Sequence, residues 1–430
     1  MTTSKELADS RSTNPGARKP KRALVFSGGG ARGAYEAGVV QYLVSELPKR
    51  LGHPIEFDIL CGTSVGAIHA CYLAATADMA GDRGSRLVDF WTQMRIEEVI
   101  PLSTRDLLRL PARLLGLRGN TEKGGEPPER LYGLLNTEPL ERIVVRAIPW
   151  RGLRDNIRQG NVEAVCVAAT QIASGRVAIF IENRDRKLPM WTRDPMIVPR
   201  PTRLLPVHAL ASAAIPLLFP AVRVGRTYYA DGGLRLNTPL APALRLGADR
   251  VLVVSLRQNI TRAHEIATTD IDVEDYANPL FLFGKILNAL LLDHLDTDLA
   301  RMHVMNEILS DGTKAFGPDF TDTINAVAIR ERGHRFRTIH DLVIRPSRDL
   351  GILAGEVLET MPEGRSRSPL LRLAMRGIGD RSSAESDLLS YLLFDGEFLG
   401  PLAGLGYLDA KAKEEELAAF FSDEPITDNR

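Results

Sequence analysis

Residues 23–33 read Ala23-Leu24-Val25-Phe26-Ser27-Gly28-Gly29-Gly30-Ala31-Arg32-Gly33, and residues 57–66 read Phe57-Asp58-Ile59-Leu60-Cys61-Gly62-Thr63-Ser64-Val65-Gly66. Each stretch is a short apolar run that breaks into a glycine-bearing turn. Uninterrupted apolar runs of this length suit strands buried on both faces. After the first turn, Val39, Val40, Leu43 and Leu47 recur at helical spacing; after the second, residues 67–77 form a small-residue helix. The order strand, glycine loop, helix therefore occurs twice. Further strands are expected at 163–169, 177–181, 227–229 and 251–255, with helices between several of them. This alternation predicts an α/β fold around a mostly parallel sheet.

Outward from this core, residues 1–22 are polar, rich in Ser, Lys, Arg and Pro, and read as a disordered tail without the apolar stretch of a secretory signal. Residues 23–256 form the expected α/β core domain. Residues 257–430 read as mainly helical, with helices near 279–309, 368–378, 384–394 and 410–421 and one strand near 339–344 closed by Pro346. Residues 118–130, rich in Gly, Pro and charge, suit an exposed loop. No internal repeat is visible.

The 430 residues are 44% hydrophobic and 25% charged, enough to bury a sizeable core. Basic and acidic residues balance at 54 each, so no global field favours nucleic acid or an anionic membrane. Three scattered cysteines, Cys61, Cys71 and Cys166, exclude a disulfide framework and fit a reducing compartment. No uncharged apolar run reaches the ~18 residues of a membrane span; the longest candidate, 207–222, is interrupted by Pro216 and Pro220. These features predict a cytoplasmic protein able to visit a membrane surface.

Gly62-Thr63-Ser64-Val65-Gly66 matches the G-x-S-x-G nucleophile elbow. Such a motif arises by chance in glycine-rich chains; the strand before it and the small-residue helix after it make the distinction. The turn is sharp, so Gly62 and Gly66 must lack a Cβ, and Ser64 stands at a helix N-terminus that favours negative charge. A serine hydroxyl needs a base. None of the eight histidines stands in an obvious catalytic setting. His69 follows Ser64 by five residues but faces away from the elbow, and His208 precedes an alanine-rich helix; both suit structural roles. Asp231, in Tyr229-Ala230-Asp231-Gly232-Gly233, directly follows a strand and is the better candidate, although Asp-Gly is also an ordinary turn dipeptide.

Consecutive glycines at 28–30 let backbone N–H groups converge on one concavity, as an oxyanion requires. Gly28, Gly30 and Gly33 also satisfy the dinucleotide fingerprint G-x-G-x-x-G. That rival expects an acidic residue about 20 positions on, at the end of the second strand. Glu46 lies on the helix, Asp58 comes too late, and the serine elbow is left unexplained.

The series Gly28-Gly29-Gly30-Ala31-Arg32-Gly33, Gly62-Thr63-Ser64-Val65-Gly66 and Asp231-Gly232-Gly233 resembles the patatin-like phospholipase family, with its oxyanion loop, elbow and aspartate in that order. The stretch 209–220 resembles the family's helix and turn ahead of the aspartate. The resemblance covers about half the chain, 23–256, with no departure at these positions. It implies a three-layer core and a Ser64–Asp231 dyad without histidine. Backbone N–H groups of the loop Gly28, Gly29, Gly30, Arg32 and Gly33 would form the oxyanion hole, with Arg32 bracing the loop or meeting a lipid phosphate. The implied reaction is hydrolysis of (lyso)phospholipid acyl esters through an acyl-serine intermediate, and neither metal nor cofactor enters it. A carboxylesterase or acyltransferase on the same dyad, and a non-catalytic lipid-binding scaffold, stand as alternatives.

Two helical stretches bear on partners. Residues 104–118 align Arg105, Arg109 and Arg113 opposite Leu107, Leu110, Leu114 and Leu117, a basic amphipathic pattern interrupted by Pro111. Such a helix can lie on an anionic lipid surface or cover a core. The segment 279–309 begins with leucines nearly all round, suiting a buried helix or an oligomer contact.

Overall fold

The computed structural model describes residues 19–79, 82–96, 138–188, 191, 194–216, 218–258, 294–360 and 389–422. The expected amphipathic helix at 104–118, the loop at 118–130, the leucine-dense start of 279–309 and the helix at 368–378 lie outside these residues. So do residues 384–388 of the expected helix 384–394.

The strands in chain order are β1 (Arg22–Phe26), β2 (Ile59–Thr63), β3 (Ala164–Gln171), β4 (Val177–Asn183), β5 (Ile197–Pro201), β6 (Val222–Val224), β7 (Thr227–Asp231), β8 (Arg250–Val254) and β9 (His340–Ile344). They form one sheet ordered β5-β4-β3-β2-β1-β8-β9. β3, β2, β1, β8 and β9 run parallel, β4 is antiparallel to β3, and β6 and β7 form a hairpin. The helices are α1 (Gly33–Gln41), α2 (Leu47–Leu51), α3 (Val65–Ala75), α4 (Arg83–Thr92), α5 (Glu138–Ala147), α6 (Trp150–Gln159) and α7 (Pro206–Ser212). They continue with α8 (Leu240–Arg245), α9 (Leu295–Phe316), α10 (Phe320–Arg332), α11 (Leu350–Thr360), α12 (Gly396–Ala412) and α13 (Glu414–Phe421). None of the described helices is long and apolar enough to cross a membrane.

Side chains alternate across the strands and divide the core into two layers. Leu24, Phe26, Leu60, Val165, Val167, Leu252 and Val254 face one layer, with α1, α3 and α4. Ala23, Val25, Ile59, Cys61, Cys166, Val251 and Val253 face the other, with α8 and α9. Both faces are covered, which is why these strands read as continuous apolar runs. The three cysteines are buried and free.

Two strands were not legible in the sequence. β5 is a half-exposed edge carrying Pro199 and Pro201, and proline is confined to such edges. β6 is three residues long. The strand expected near 339–344 is present as β9 and extends the sheet beside β8. Chain beyond residue 256 also enters the first core layer through Tyr391, Phe398, Leu399 and Leu402. Arg22 Nη2 donates to the Phe421 carbonyl at 2.8 Å, and Arg250 Nη1 donates to the Phe420 and Ser422 carbonyls at 2.5 and 2.6 Å. Two buried guanidinium groups thus satisfy the last carbonyls of α13.

α1 and α12 cross closely. A Cβ on Gly38 would lie 1.8 Å from the Ala403 carbonyl oxygen, and one on Gly406 would lie 2.0 Å from that of Tyr35. Backbone stands on both sides, so no side chain can swing away. Gly38→Leu is expected to cost about 3 kcal/mol or more by overpacking, read as a lower urea midpoint at unchanged m. An unchanged midpoint would show that the two helices part freely.

Candidate active site

β2 ends at Thr63, opposite Ala168 of β3. The next β3 residue, Ala169, pairs with Asp231 of the antiparallel β7. β7 therefore takes over the same edge of β3 where β2 stops, and the two strands meet end to end. This register sets Asp231 against Ser64, the residue after β2. The Ser64 side chain faces the Asp231 carboxylate closely enough to pull its carboxyl down.

Ser64 has φ 55° and ψ −124°, a conformation that L residues avoid, directly before α3. The surrounding structure imposes it. The Ser64 N–H donates to Ser212 Oγ at 2.8 Å, and Ser212 Oγ donates to the Ala168 carbonyl at 2.5 Å. A Cβ on Gly62 would lie 2.0 Å from the Gly66 carbonyl oxygen, and one on Gly66 would lie 2.6 Å from that of Ser27. The elbow is closed by backbone on backbone, which explains the glycines on both sides of the serine.

Asp231 is only 1% exposed. Its N–H donates to the Ala214 carbonyl at 2.8 Å, and its Oδ1 accepts the Gly233 N–H at 2.7 Å. Burial pushes its carboxyl up to about 6, against the opposing pull of the Ser64 hydroxyl and the Gly233 N–H. A carboxylate in that range is a usable base near neutral pH.

The glycine loop lies alongside. A Cβ on Gly28 would lie 3.0 Å from Ser64 Cβ, so only glycine permits the approach. The Gly28 N–H donates to the Asn237 carbonyl at 3.2 Å. Gly29 and Gly30 precede and open a one-turn 3₁₀ helix, Gly30–Arg32, whose first N–H groups have no acceptor within the turn. A Cβ on Gly29 would strike Leu256, and Gly30 takes φ +56° against the Tyr391 carbonyl. Gly33 opens α1, where a Cβ would meet Val65. The Arg32 side chain is buried: Nε donates to Ser390 Oγ at 2.7 Å, and the guanidinium lies 4.1 Å over the Tyr391 ring. Arg32 braces the loop against the C-terminal region.

Neither suspected histidine is free to act. The Trp91 Nε1–H donates to His69 Nε2 at 2.9 Å, and His69 Nδ1 lies 2.7 Å from Glu36 Oε2, with both residues fully buried. Burial holds the His69 imidazole down to about 3, so it is neutral with its proton on Nδ1, donating to Glu36. Glu36 Oε1 accepts the Ser27 N–H at 3.0 Å, which links the start of the glycine loop to α3. His208 Nδ1 accepts the Leu205 N–H at 3.0 Å at the start of α7, and burial lowers this imidazole to about 4. Among the described residues, neither Ser64 nor Asp231 hydrogen-bonds a histidine.

The sequence reading missed Ser212, Asn237 and Thr238. Asn237 Nδ2 donates to the Gly28 carbonyl at 3.3 Å, and Thr238 Oγ1 lies 2.6 Å from Ser27 Oγ. These residues follow the aspartate turn and clasp the glycine loop from the other side. The available signal was Asn237-Thr238-Pro239, a helix-entry pattern just after Asp231.

In comparisons with known proteins, the chain is 29% identical over 218 residues to a Pseudomonas aeruginosa (strain BWHPSA011 / Pa011) protein named cGAMP-activated phospholipase. That match covers 50% of this chain and 53% of the relative, so the chain spans about half the relative's length. Human GIVD cytosolic phospholipase A2, solved with methyl gamma-linolenyl fluorophosphonate, has a TM-score of 0.38 and 13% identity, over 93% of this chain and 58% of that one. VipD from Legionella pneumophila has a TM-score of 0.27 and 14% identity, over 90% and 67%. The model of the patatin-like phospholipase family matches residues 24–244. That span runs from β1 to α8, covers half the chain and contains the elbow, the glycine loop and the aspartate turn, and it establishes that the chain belongs to the patatin-like phospholipase family.

Proposed function

We propose that this protein hydrolyses acyl esters of phospholipids or lysophospholipids with Ser64 as nucleophile and Asp231 as its base. The observation that carries the reading is the strand register that sets a strained, buried serine against a buried carboxylate raised to about 6. Ser64 Oγ attacks the acyl carbonyl carbon while its proton passes to Asp231. The oxyanion is met by N–H groups of the glycine loop, with Gly29 and Gly30 best placed because Gly28 is engaged by Asn237. One such donor is worth about 3 kcal/mol. Collapse of the tetrahedral adduct expels the alcohol, which takes the proton from Asp231. Water then gives its proton to Asp231, attacks the acyl-serine, and the acid leaves as Ser64 is reprotonated.

Covalent labelling by a fluorophosphonate, paired with acyl release from mixed phospholipid vesicles, tests the reading. Labelling at Ser64 with release of fatty acid supports it. Labelling with cleavage of short soluble esters alone replaces it with the esterase reading. Acyl transfer to an added alcohol in place of water favours an acyltransferase. Absence of both labelling and turnover leaves a lipid-binding scaffold.

A further inference from the structure

A polar cavity of about 310 Å³ opens between the turn after Asp231 and the start of α9. Arg235, Asn237, Thr238, His294, Thr297 and Arg301 line it. We propose that this cavity is a phosphate subsite that holds the head-group phosphate of the substrate while its acyl ester lies at Ser64. The proposal rests on the lipid acyl hydrolase reading above.

The first ground is the chemistry of the wall. Two arginines from separate elements, Arg235 after the aspartate turn and Arg301 on α9, line one space, with Arg235 Nη2 reaching toward Gly175. A guanidinium fork matches phosphate oxygens in pairs. The hydroxyls of Thr238 and Thr297, the amide of Asn237 and the imidazole of His294 supply further hydrogen-bonding groups. One carboxylate opposes them: Asp298 lines the same cavity, 3.6 Å from Arg301 Nη1. Burial pushes its carboxyl up while Arg301 and His294 pull it down. Its neighbour Asp296 is turned away to Arg345. With Asp298 paired to Arg301, the lining arginines leave the cavity one positive charge in excess, which favours an anion.

The second ground is position. Asn237 is both a wall of the cavity and the clasp on Gly28. A Cβ on Gly28 would lie 2.6 Å from Asn237 Oδ1 and 3.0 Å from Ser64 Cβ. One glycine and one asparagine side chain therefore separate the cavity from the nucleophile. In a glycerophospholipid the phosphate likewise lies only a few bonds from the scissile ester. Arg32, read from the sequence as bracing the loop or meeting a lipid phosphate, is engaged by Ser390 and Tyr391. The phosphate would meet Arg235 and Arg301.

The test uses the full chain and the double variant Arg235→Ala/Arg301→Ala, both checked by circular dichroism, at constant ionic strength. Calorimetric titration with glycerol 3-phosphate should show binding to the wild type and at least a tenfold weakening in the variant; no binding to the wild type overturns the subsite. Acyl release is then compared for a lysophospholipid and a monoacylglycerol of the same chain in mixed micelles. The ratio of the two kcat/KM values should fall at least tenfold in the variant, chiefly through KM for the lysophospholipid. An unchanged ratio overturns the head-group assignment, and if inorganic phosphate binds as well as glycerol 3-phosphate in that case, the cavity serves a free phosphate. A wild type that binds glycerol 3-phosphate but releases no acyl chain from either lipid sinks the hydrolase reading and leaves the anion site standing.

Discussion

Ser64→Ala is expected to stay folded and to lose acyl release by at least about 10⁴-fold, the scale seen when a covalent nucleophile is removed. The loss should appear in kcat with lipid binding retained, because the hydroxyl is the attacking atom and adds little to the bound surface. Folding should survive, since the elbow is held by the Ser64 N–H on Ser212 and by backbone packing at Gly62 and Gly66, none of which the substitution removes. Alanine keeps the strained φ of 55° that serine carries. Glycine does not share the penalty, so Ser64→Gly should be equally inactive yet about 1 kcal/mol more stable than Ser64→Ala, within the range for one strained residue. Urea midpoints of the two inactive variants measure that difference. Retained turnover in Ser64→Ala would end the proposed mechanism.

Asp231→Asn should lose activity on a similar scale and gain stability above neutral pH. Asparagine can still accept the Gly233 N–H and can face Ser64 Oγ with its amide, but it cannot take a proton. The stability gain follows from linkage. The carboxyl moves from 3.8 to about 6 on burial, so the folded state holds the proton more tightly than the unfolded chain. That contribution is complete below about 3.8 and is lost as pH rises through about 6. Above that range the ionised, buried carboxylate costs on the order of 3 kcal/mol relative to the acid side. Asp231→Asn removes this cost, so it should be more stable than wild type at pH 8, with the gap closing toward pH 4. The same shift gives wild-type kcat/KM a single rise centred near pH 6, since the base must be ionised. A variant less stable than wild type at pH 8 would mean that the carboxylate is better solvated than its burial indicates. A flat profile between pH 5 and 8 would remove Asp231 as the base.

Glu36 and His69 illustrate how far residue type alone can mislead. A histidine five residues after a nucleophilic serine invites a catalytic role, yet both of its ring nitrogens are committed within the core. Facing away from the elbow, as helical spacing predicts, it ties the nucleophile helix to the glycine loop through Glu36 and Ser27. The strands show a related contrast. β1, β2, β3 and β8 were legible because burial on both faces makes them continuous apolar runs with polar residues only at their ends. β5 and β6 were not, because a half-exposed edge and a short hairpin arm carry no such pattern.

By itself the sequence determined the α/β class, the two strand–glycine–helix units, the elbow at Ser64 and the candidate aspartate. These are local properties, decided by sterics and periodicity among residues close in the chain. Only the tertiary structure decided that β7 caps the end of β2, that Ser212 holds the Ser64 N–H, that Asn237 and Thr238 clasp the glycine loop, and that Arg32 faces Ser390 and Tyr391. Those side-chain partners are 148 to 359 positions apart. Hydrophobic periodicity specifies which face of an element is buried, but not which distant element will cover it.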